Sequence, residues 1–301
     1  MNRDSIIFVS GKETLEGLSL IQFLFDSGFT NVITESTEED LEKTFKNEKP
    51  EYVFLLGEIS GGIQANIKKP ATLMRRNLNK MITIIDLSLK HNVNKLLFLA
   101  SSCIYPRDSN KKLSPDMIMT GSLEPTNSGY ATAKLTGLEL IKSIRKEFSK
   151  NFISSISANV FGPFDDFASE DAHVISSLIR KVKATKDSNK KELLVWGTGE
   201  PIRDFIFSED LADGLVFLMN NYNGDIPINI STGRGSSIKE LTEKIVGVSD
   251  YTGRIKFDTT KPDGMPYKVL DNKEITRLGW TPKTEFNDAL KQTYDWYIDN
   301  S

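Results

Sequence analysis

The sequence predicts an α/β fold in which helices cover both faces of a parallel sheet. Two observations carry the prediction. Short apolar runs alternate with amphipathic segments over the first 160 residues, and strand, helix, strand in this rhythm is typical of parallel sheets. After Asn159 the rhythm changes, because Gly162-Pro163 interrupts the chain and shorter strand and helix patterns follow. This change predicts a smaller α/β lobe behind the sheet.

The elements follow in chain order. The apolar runs predict strands over 6–9, 31–34, 52–56, 95–100 and 152–158, and the amphipathic segments predict helices over 15–27, 78–91 and 130–148. In the smaller lobe we expect strands over 193–196 and 255–257, a helix over 237–246, and a solvated helix end and loop over 181–191. The predicted division assigns 1–160 and 204–232 to the sheet domain, and 161–203 and 233–301 to the smaller lobe.

Composition excludes several classes of protein. The 301 residues include 38 Lys and Arg against 41 Asp and Glu, and this net charge of -3 argues against a nucleic-acid partner. One cysteine cannot form an internal disulfide, and two histidines with one cysteine argue against a zinc cluster, so we expect no metal site. No run approaches the ~20 apolar residues of a membrane span, and the N-terminal apolar run is too short for a signal peptide. The expected location is the cytoplasm.

The first strand-to-helix turn holds a glycine-bearing loop, Ser10 to Gly17. In dinucleotide-binding folds such glycines let the backbone approach a pyrophosphate at a helix N-terminus. Here Gly11 and Gly17 are in place, but Thr14 stands where a third glycine would be expected. By itself the loop is equally compatible with a plain turn.

A second motif is Tyr130 followed four residues later by Lys134, which places both on one helix face. An ammonium near a phenol favours the phenolate and prepares it for proton exchange. Ser101 and Ser102 follow the predicted strand over 95–100, at the sheet edge where ligands bind. Ser, Tyr and Lys in this order after a strand-loop-helix start are typical of short-chain dehydrogenases/reductases, which have a Rossmann-type doubly wound sheet.

Further blocks make the resemblance narrower. From about residue 50 onward the chain resembles the GDP-L-fucose synthases, in the extended branch of the short-chain reductases. The blocks that carry this resemblance are 61–66, 97–106, 123–127, 159–163, 173–175, 196–199 with Arg203, and 261–264. The resemblance implies epimerisation of GDP-4-keto-6-deoxy-D-mannose at C3 and C5, then reduction at C4 with NADPH. It also implies a homodimer formed through the helices over 78–91 and 130–148.

The resemblance assigns catalytic roles to five residues. Tyr130 donates the proton to O4, Lys134 lowers the pKa of Tyr130 and holds the nicotinamide ribose, and Ser101 binds the keto oxygen. Cys103 is the base and His173 the acid of the epimerisation, whereas His91 is expected to be a solvated helix-end cation.

The resemblance also implies a set of binding residues. The cofactor set is Gly11, Thr14, Gly17, Glu35, Leu99, Ser101, Ser102, Lys134, Asn159, Val160 and His173. The sugar-nucleotide set is Ser102, Asn159, Lys181, Trp196, Arg203 and Asp263, with Lys268 as a further candidate. Two assignments have alternatives: Arg203 as an ordinary ion-pair partner, and Asp263 as the cap of a turn.

The first 50 residues depart from the family. Glu13 stands where the family has an arginine for the cofactor's 2′-phosphate, and Glu35 lies in an acidic stretch where a second arginine is expected. The segment before Tyr52 is also short, which predicts a truncated third strand. Carboxylates oppose a phosphate monoester and suit an unphosphorylated ribose. NADP(H) is therefore implied by resemblance and NAD(H) by Glu13 and Glu35. Two alternative functions are an NAD-linked epimerase/reductase that acts on another 4-keto sugar nucleotide, and a non-catalytic protein that binds only the nucleotide sugar.

Overall fold

We describe the fold from a computed structural model, which describes residues 1–35, 40–56, 63–169 and 172–301. The described strands are β1 (Ile7–Val9), β2 (Val32–Thr34), β3 (Tyr52–Leu55), β4 (Lys95–Ser101), β5 (Phe152–Ser157), β6 (Asn159–Phe161), β7 (Glu192–Trp196), β8 (Ile202–Arg203), β9 (Phe205–Phe207), β10 (Ile228–Ile230), β11 (Ser236–Ser237), β12 (Arg254–Asp258) and β13 (Tyr267–Lys268). The described helices are α1 (Leu15–Asp26), α2 (Leu41–Glu48), α3 (Ile63–Lys68), α4 (Pro70–Lys90), α5 (Ser128–Phe148), α6 (Val174–Asp187), α7 (Ser208–Asn221), α8 (Ile238–Ser249), α9 (Lys273–Arg277) and α10 (Phe286–Asp299).

Six strands form a parallel sheet in the order β10-β5-β4-β3-β1-β2. The central strands β1 and β4 are buried along almost their whole length, which explains their unbroken apolar sequences. Because every strand runs the same way, the carboxyl ends of β1, β2 and β4 meet at one edge of the sheet. The predicted α/β fold with a doubly wound sheet is confirmed.

Three smaller sheets are formed by strands that follow β5 in the chain. Strand β6 pairs with β9, β7 pairs with β12, and β8 lies between β11 and β13. A second hydrophobic cluster packs α6, α8 and α10 against β7, separate from the larger cluster around the six-stranded sheet. Leu270, Ile275 and Trp280 belong to the larger cluster, although the predicted division placed them in the smaller lobe.

Several element bounds differ from those predicted. Helix α4 begins at Pro70, eight residues before the predicted start, because polar residues in its first two turns hide the helical pattern while Pro70 suits a first helical position. Between residues 40 and 51 the chain forms α2, and β2 is the edge strand of the six-stranded sheet. Within the described residues, no helix combines the length and the apolar character needed to cross a bilayer.

Candidate active site

The loop between β1 and α1 is a tight turn at a helix N-terminus. Gly11 has φ +80°, and a Cβ on Gly17 would lie 2.0 Å from the Gly11 carbonyl oxygen, so only glycine fits at position 17. The Thr14 hydroxyl accepts from the Gly17 amide at 3.2 Å and caps α1. The two glycines keep side chains away from the loop at the N-terminus of the twelve-residue helix α1. The loop backbone can therefore come close to a pyrophosphate bound there.

Glu35, just after β2, turns its carboxylate towards this loop. One oxygen, Oε1, accepts from the Gly11 amide at 2.9 Å and from Lys80 Nζ on α4 at 2.5 Å. The other oxygen, Oε2, is buried and has no hydrogen-bond partner within the described residues. A ribose hydroxyl would satisfy that acceptor, and Lys80 supplies a cation beside it. These residues fit the adenosine half of a nicotinamide dinucleotide, whereas Glu13 is exposed to solvent.

Tyr130 and Lys134 lie one turn apart on α5, as predicted. Lys134 is almost fully buried, its Nζ donates to the Leu99 carbonyl at 2.7 Å, and the same nitrogen is 5.7 Å from the centre of the Tyr130 ring. The hydrogen bond ties α5 to the carboxyl end of β4. The ammonium is thereby fixed beside the phenol that it is expected to influence.

Ser101, Ser102 and Cys103 follow one another at the end of β4. Ser101 ends the strand, and Ser102 and Cys103 form a short 3-10 turn with both side chains buried. Burial raises the pKa of the Cys103 thiol, while the positive charges of Lys268 and Lys134 and a hydrogen bond with Ser101 act in the opposite direction. Burial also lowers the pKa of Lys268 to about 8. Removal of a proton by Cys103 therefore depends on the nearby ammonium groups.

His173 is the N-cap residue that immediately precedes α6. Its Nδ1 lies 3.4 Å from the Asp165 carboxylate, and the ring is half-exposed, with 53% of its side-chain surface accessible. A hydrogen bond with Asp165 raises the pKa of His173, and the charges of Asp165, Glu16 and Asp166 act in the same direction against the effect of burial. The imidazole is therefore held closer to its cationic form, which can donate a proton.

Asn159 and Val160 lie on β6, where the two hydrophobic clusters meet. The amide side chain of Asn159 donates to the Asp204 carbonyl at 2.7 Å, and the Asn159 backbone amide donates to the same oxygen at 3.1 Å. Val160 packs in the larger cluster. Asn159 therefore joins β6 to the segment after β8 through both its side-chain and its backbone amide.

Trp196 lies at the end of β7 with 62% of its surface exposed. The Lys181 Nζ is 4.8 Å from the centre of the indole ring, and the Lys261 Nζ is 5.3 Å from it. An exposed aromatic face with two cations suits an anionic group attached to a flat ring. Lys261 was not among the predicted site residues, although it belongs to the block 261–264.

Arg203 is largely buried, whereas Asp263 is hydrogen-bonded to a turn. The Arg203 guanidinium donates to the Ile202 carbonyl at 2.8 Å, burial lowers the pKa of Arg203, and the charges of Asp263 and Glu124 oppose that effect. The Asp263 carboxylate accepts from the Thr198 amide at 2.9 Å and from the Thr198 hydroxyl at 2.7 Å. Asp263 thus caps the turn after β7, which is 65 residues away in the chain, and its role in binding the sugar nucleotide stays a prediction.

Three charged residues near these groups escaped the sequence analysis. Lys80 lies 45 residues from its partner Glu35, so only the fold brings them together. Asp165 follows the block 159–163 closely, and that proximity was the one available signal. Asp204 is almost fully buried, and burial raises the pKa of its carboxyl to about 6. Gly61 and Gly62 of the block 61–66, and residues 36–39 of the acidic stretch after β2, lie outside the described residues.

The parallel sheet, the loop over α1 and the Ser, Tyr and Lys side chains at the end of β4 define a nucleotide-dependent dehydrogenase or epimerase of the extended short-chain class. Residues 24–231 match the model of the NAD dependent epimerase/dehydratase family. GDP-L-fucose synthase 1 of Arabidopsis thaliana is 40% identical over 306 residues, which cover 99% of this chain and 95% of that protein. The chain therefore belongs to the GDP-L-fucose synthase family.

Solved structures agree with this assignment. A GDP-L-fucose synthetase from Naegleria fowleri bound to NADP superposes with a TM-score of 0.92 at 26% identity, covering 100% of this chain and 94% of that chain. A GDP-mannoheptose C4 reductase from Campylobacter jejuni with NADP bound gives a TM-score of 0.90 at 30% identity, covering 99% of each chain. The resemblance stated from the sequence motifs is confirmed.

Proposed function

We propose that this chain epimerises a GDP-4-keto-6-deoxy sugar at C3 and C5 and then reduces it at C4 with NADPH or NADH. The observation that carries the proposal is the Lys134 hydrogen bond to Leu99, which fixes Lys134 and Tyr130 beside the serines and the cysteine at the end of β4. The 40% identity to a GDP-L-fucose synthase over nearly the whole chain supports the substrate class.

The reduction needs a proton donor at O4. The reduced nicotinamide supplies a hydride when it is bound. Tyr130 donates its phenolic proton to the ketone oxygen, and the Lys134 ammonium stabilises the phenolate that remains. Ser101, at the end of β4, hydrogen-bonds the same oxygen and orients the carbonyl. The fixed Lys134 is the reason that the proton can move near neutral pH.

The epimerisation needs a base on one face of the sugar and an acid on the other. A 4-keto group acidifies the protons on C3 and C5. Cys103 takes such a proton as a thiolate, and His173 returns one from its imidazolium to the opposite face, so the configuration inverts and no net proton is lost. The charges of Lys268 and Lys134 favour the thiolate, and Asp165 favours the imidazolium.

NADP(H) is the cofactor of the related structures, and we assign it to this chain as well. The β1–α1 loop holds its pyrophosphate, with Gly11, Thr14 and Gly17 as the loop residues. At the adenosine ribose Glu35 and Lys80 act in opposite directions, because the carboxylate suits hydroxyl groups and the ammonium suits a phosphate. NADH is thus a second cofactor that this site can hold.

The nucleotide end of the substrate is assigned to the smaller lobe. Trp196, between the Lys181 and Lys261 ammonium groups, stacks on guanine or ribose, and Arg203 pairs with the diphosphate. Both carboxylate oxygens of Asp263 accept hydrogen bonds from Thr198. Asp263 therefore acts by holding the turn after Trp196 in place. Asn159 and Ser102 complete the sugar side.

A second candidate is a 4-reductase that does not epimerise, acting on another GDP-4-keto sugar. The observation that favours it is the burial of the Cys103 thiol, which raises its pKa and opposes the thiolate. The similarity of the chain to a solved GDP-mannoheptose C4 reductase also supports this candidate. Deuterium exchange at C3 and C5 separates the two activities.

Three further proposals concern the oligomeric state, the cellular location and the division of the chain into domains. We propose a homodimer through α4 and α5, which pack on each other and leave Ile82 and Phe148 exposed. We propose a cytoplasmic location, and a sheet domain of residues 1–160 and 204–232 with a smaller lobe of 161–203 and 233–301. The second hydrophobic cluster, which packs α6, α8 and α10 against β7, supports a separate smaller lobe.

The test is conversion of GDP-4-keto-6-deoxy-D-mannose in deuterated buffer with NADPH or NADH. We expect a GDP-6-deoxy-L-galactose product that carries deuterium at C3 and C5, identified by NMR. A product with the original configuration at C3 and C5 would support the 4-reductase alone. Tight GDP binding without oxidation of either cofactor would support the non-catalytic alternative.

A further inference from the structure

Asp165 lies in the loop between β6 and α6, and only 4% of its side-chain surface is exposed. Its Oδ1 accepts from the Asp166 amide at 2.9 Å, and its Oδ2 accepts from the Ser176 hydroxyl in the first turn of α6. A buried carboxylate is costly unless it is paired or hydrogen-bonded. The loop therefore holds Asp165 in one orientation through contacts that do not involve any ligand.

The same carboxylate faces His173. Asp165 Oδ1 lies 3.4 Å from His173 Nδ1, and the His173 carbonyl accepts from the Ser177 amide at 2.8 Å, which fixes the backbone at the start of α6. With Nδ1 turned to Asp165, the second ring nitrogen, Nε2, lies on the opposite side of the imidazole. The ring is half-exposed, so a substrate can reach it.

The loop around Asp165 is held by a second set of contacts. Arg180 donates to the carbonyls of Phe167, Ala168 and Ser169 at 2.6 to 3.0 Å. The Asp166 carboxylate accepts from the Ala168 and Ser169 amides at 3.0 and 2.9 Å. These contacts fix the loop, and with it the Asp165 carboxylate, independently of the His173 imidazole. Such an arrangement is expected of a residue that orients another.

We infer that Asp165 is a positioning residue for the epimerisation, which holds the His173 ring through Nδ1 so that Nε2 delivers the proton to the sugar. This inference rests on the proposed function, because it needs His173 to be the acid. It goes beyond that function by assigning Asp165 an orienting role in addition to the effect of its charge. Its step is one proton transfer, in which the Nε2–H bond breaks and a C–H bond forms at C3 or C5.

The charges around the ring favour the same role. Asp165 raises the pKa of His173, and Glu16 in the first turn of α1 and Asp166 add to that effect. The N-terminus of α6 opposes a cation at His173, because the positive end of the helix dipole lies there. Of these groups, Asp165 is the one whose carboxylate lies beside the His173 ring. We therefore expect substitution of Asp165 to change the pKa of His173 the most.

The first experiment compares deuterium wash-in at C3 and C5 for the wild type and Asp165→Asn between pH 6 and 9. The side-chain amide keeps a similar shape and loses the charge, so the pKa of His173 falls. We expect the alkaline limb of the pH profile to move to lower pH. Wash-in at pH 8 should drop on the order of tenfold, short of the roughly 100-fold loss expected when an acid is removed.

The second experiment observes the imidazole directly. The chain has two histidines, His91 and His173, so a His91→Asn variant assigns the remaining ring resonance by NMR. We expect Asp165→Asn to lower the titration midpoint of the His173 ring in the absence of substrate. A midpoint and a pH profile that both stay at the wild-type values would overturn the inference.

The control variant is Ser176→Ala, which removes the other side-chain contact of Asp165 and keeps its charge. If Asp165 only stabilised the loop, Ser176→Ala and Asp165→Asn would have similar effects on wash-in at every pH. We expect Ser176→Ala to keep the wild-type pH profile. His173→Asn separates this inference from the proposed function, since undiminished wash-in in that variant contradicts the role of His173 itself.

Discussion

Tyr130 carries the clearest prediction at the scale of single residues. Its ring lies 5.7 Å from a Lys134 ammonium that the Leu99 carbonyl holds in place. Tyr130→Phe removes the phenolic proton and keeps the ring. We expect turnover to fall at least ~100-fold while affinity for the GDP-sugar changes little. Steady-state kinetics and calorimetry measure the two quantities, and near wild-type turnover would contradict the assignment.

Cys103 separates the two halves of the reaction. Cys103→Ser keeps the shape at the end of β4 but replaces a thiol, whose usual pKa is about 8.5, by a much weaker acid. We expect deuterium wash-in at C3 and C5 to collapse, while direct reduction at C4 persists. Mass spectrometry and NMR of the recovered sugar report both outcomes. Wash-in at the wild-type rate would show that another group is the base.

Glu35 and Lys80 predict the cofactor preference. Glu35→Gln removes a negative charge from the proposed adenosine-ribose site and retains an oxygen for the Gly11 amide, so NADPH affinity should rise relative to NADH. Lys80→Met should shift the ratio in the opposite direction. A charge-assisted contact contributes about 1.5–3 kcal/mol, so each shift should be tenfold or more. Calorimetric titration of both cofactors measures the ratio, and two shifts in the same direction would exclude the opposed roles.

At the scale of elements, α5 approaches β4 and α4 closely at Gly137. A Cβ there would lie 2.5 Å from the Phe98 ring and 2.6 Å from the Met81 sulfur. Gly137→Ala should therefore lower the free energy of unfolding by about 1–2 kcal/mol, although alanine is the better helix former. Urea denaturation measures the change.

The matched control lies on another helix. Gly247, on α8, has no atom within 4 Å of an added Cβ among its described neighbours. Gly247→Ala should raise the free energy of unfolding by about 0.5–1 kcal/mol, because only helix propensity changes. If the free energy of unfolding falls in Gly137→Ala and rises in Gly247→Ala, the close contact at Gly137 is supported. Changes of the same sign would contradict it.

The elements were predictable to different degrees. The strands and helices around β1, β4 and α5 follow from apolar runs and helical spacing, and Tyr130 and Lys134 meet because four residues make about one turn. The Lys80 contact was not predictable, since nothing local in α4 indicates that its third turn reaches Glu35 across the end of β2. The turn that brings Asp165 to His173 depends on Arg180 and on backbone contacts that have no sequence pattern.

At the scale of the whole molecule, Asp204 joins the two hydrophobic clusters. Its carboxylate accepts from the Thr232 hydroxyl at 2.6 Å and from the Leu270 amide at 3.2 Å, and its carbonyl accepts from Asn159. No motif indicated this role, because a lone aspartate after Arg203 looks like a surface residue. Its position between distant segments appears only in the fold.

Asp204 predicts a pH dependence of stability. Burial raises the pKa of its carboxyl from 3.8 to about 6, so the folded state binds the proton more tightly than the unfolded state. The stability from this group is present below about pH 4 and is lost as the pH rises through 6. Relative to Asp204→Asn, the wild type should lose roughly 3 kcal/mol over that range. Urea denaturation at a series of pH values measures the difference, and a constant difference would contradict the shifted pKa.

The single cysteine has a consequence for chemical labelling. Since the one sulfhydryl of the chain is the buried Cys103, a thiol-selective reagent adds only one equivalent, and that adduct lies at the end of β4. The burial that raises the pKa of Cys103 also slows its alkylation in the native protein. The kinetics of a one-to-one modification therefore report how fully a ligand covers this position, without a tag or an engineered probe.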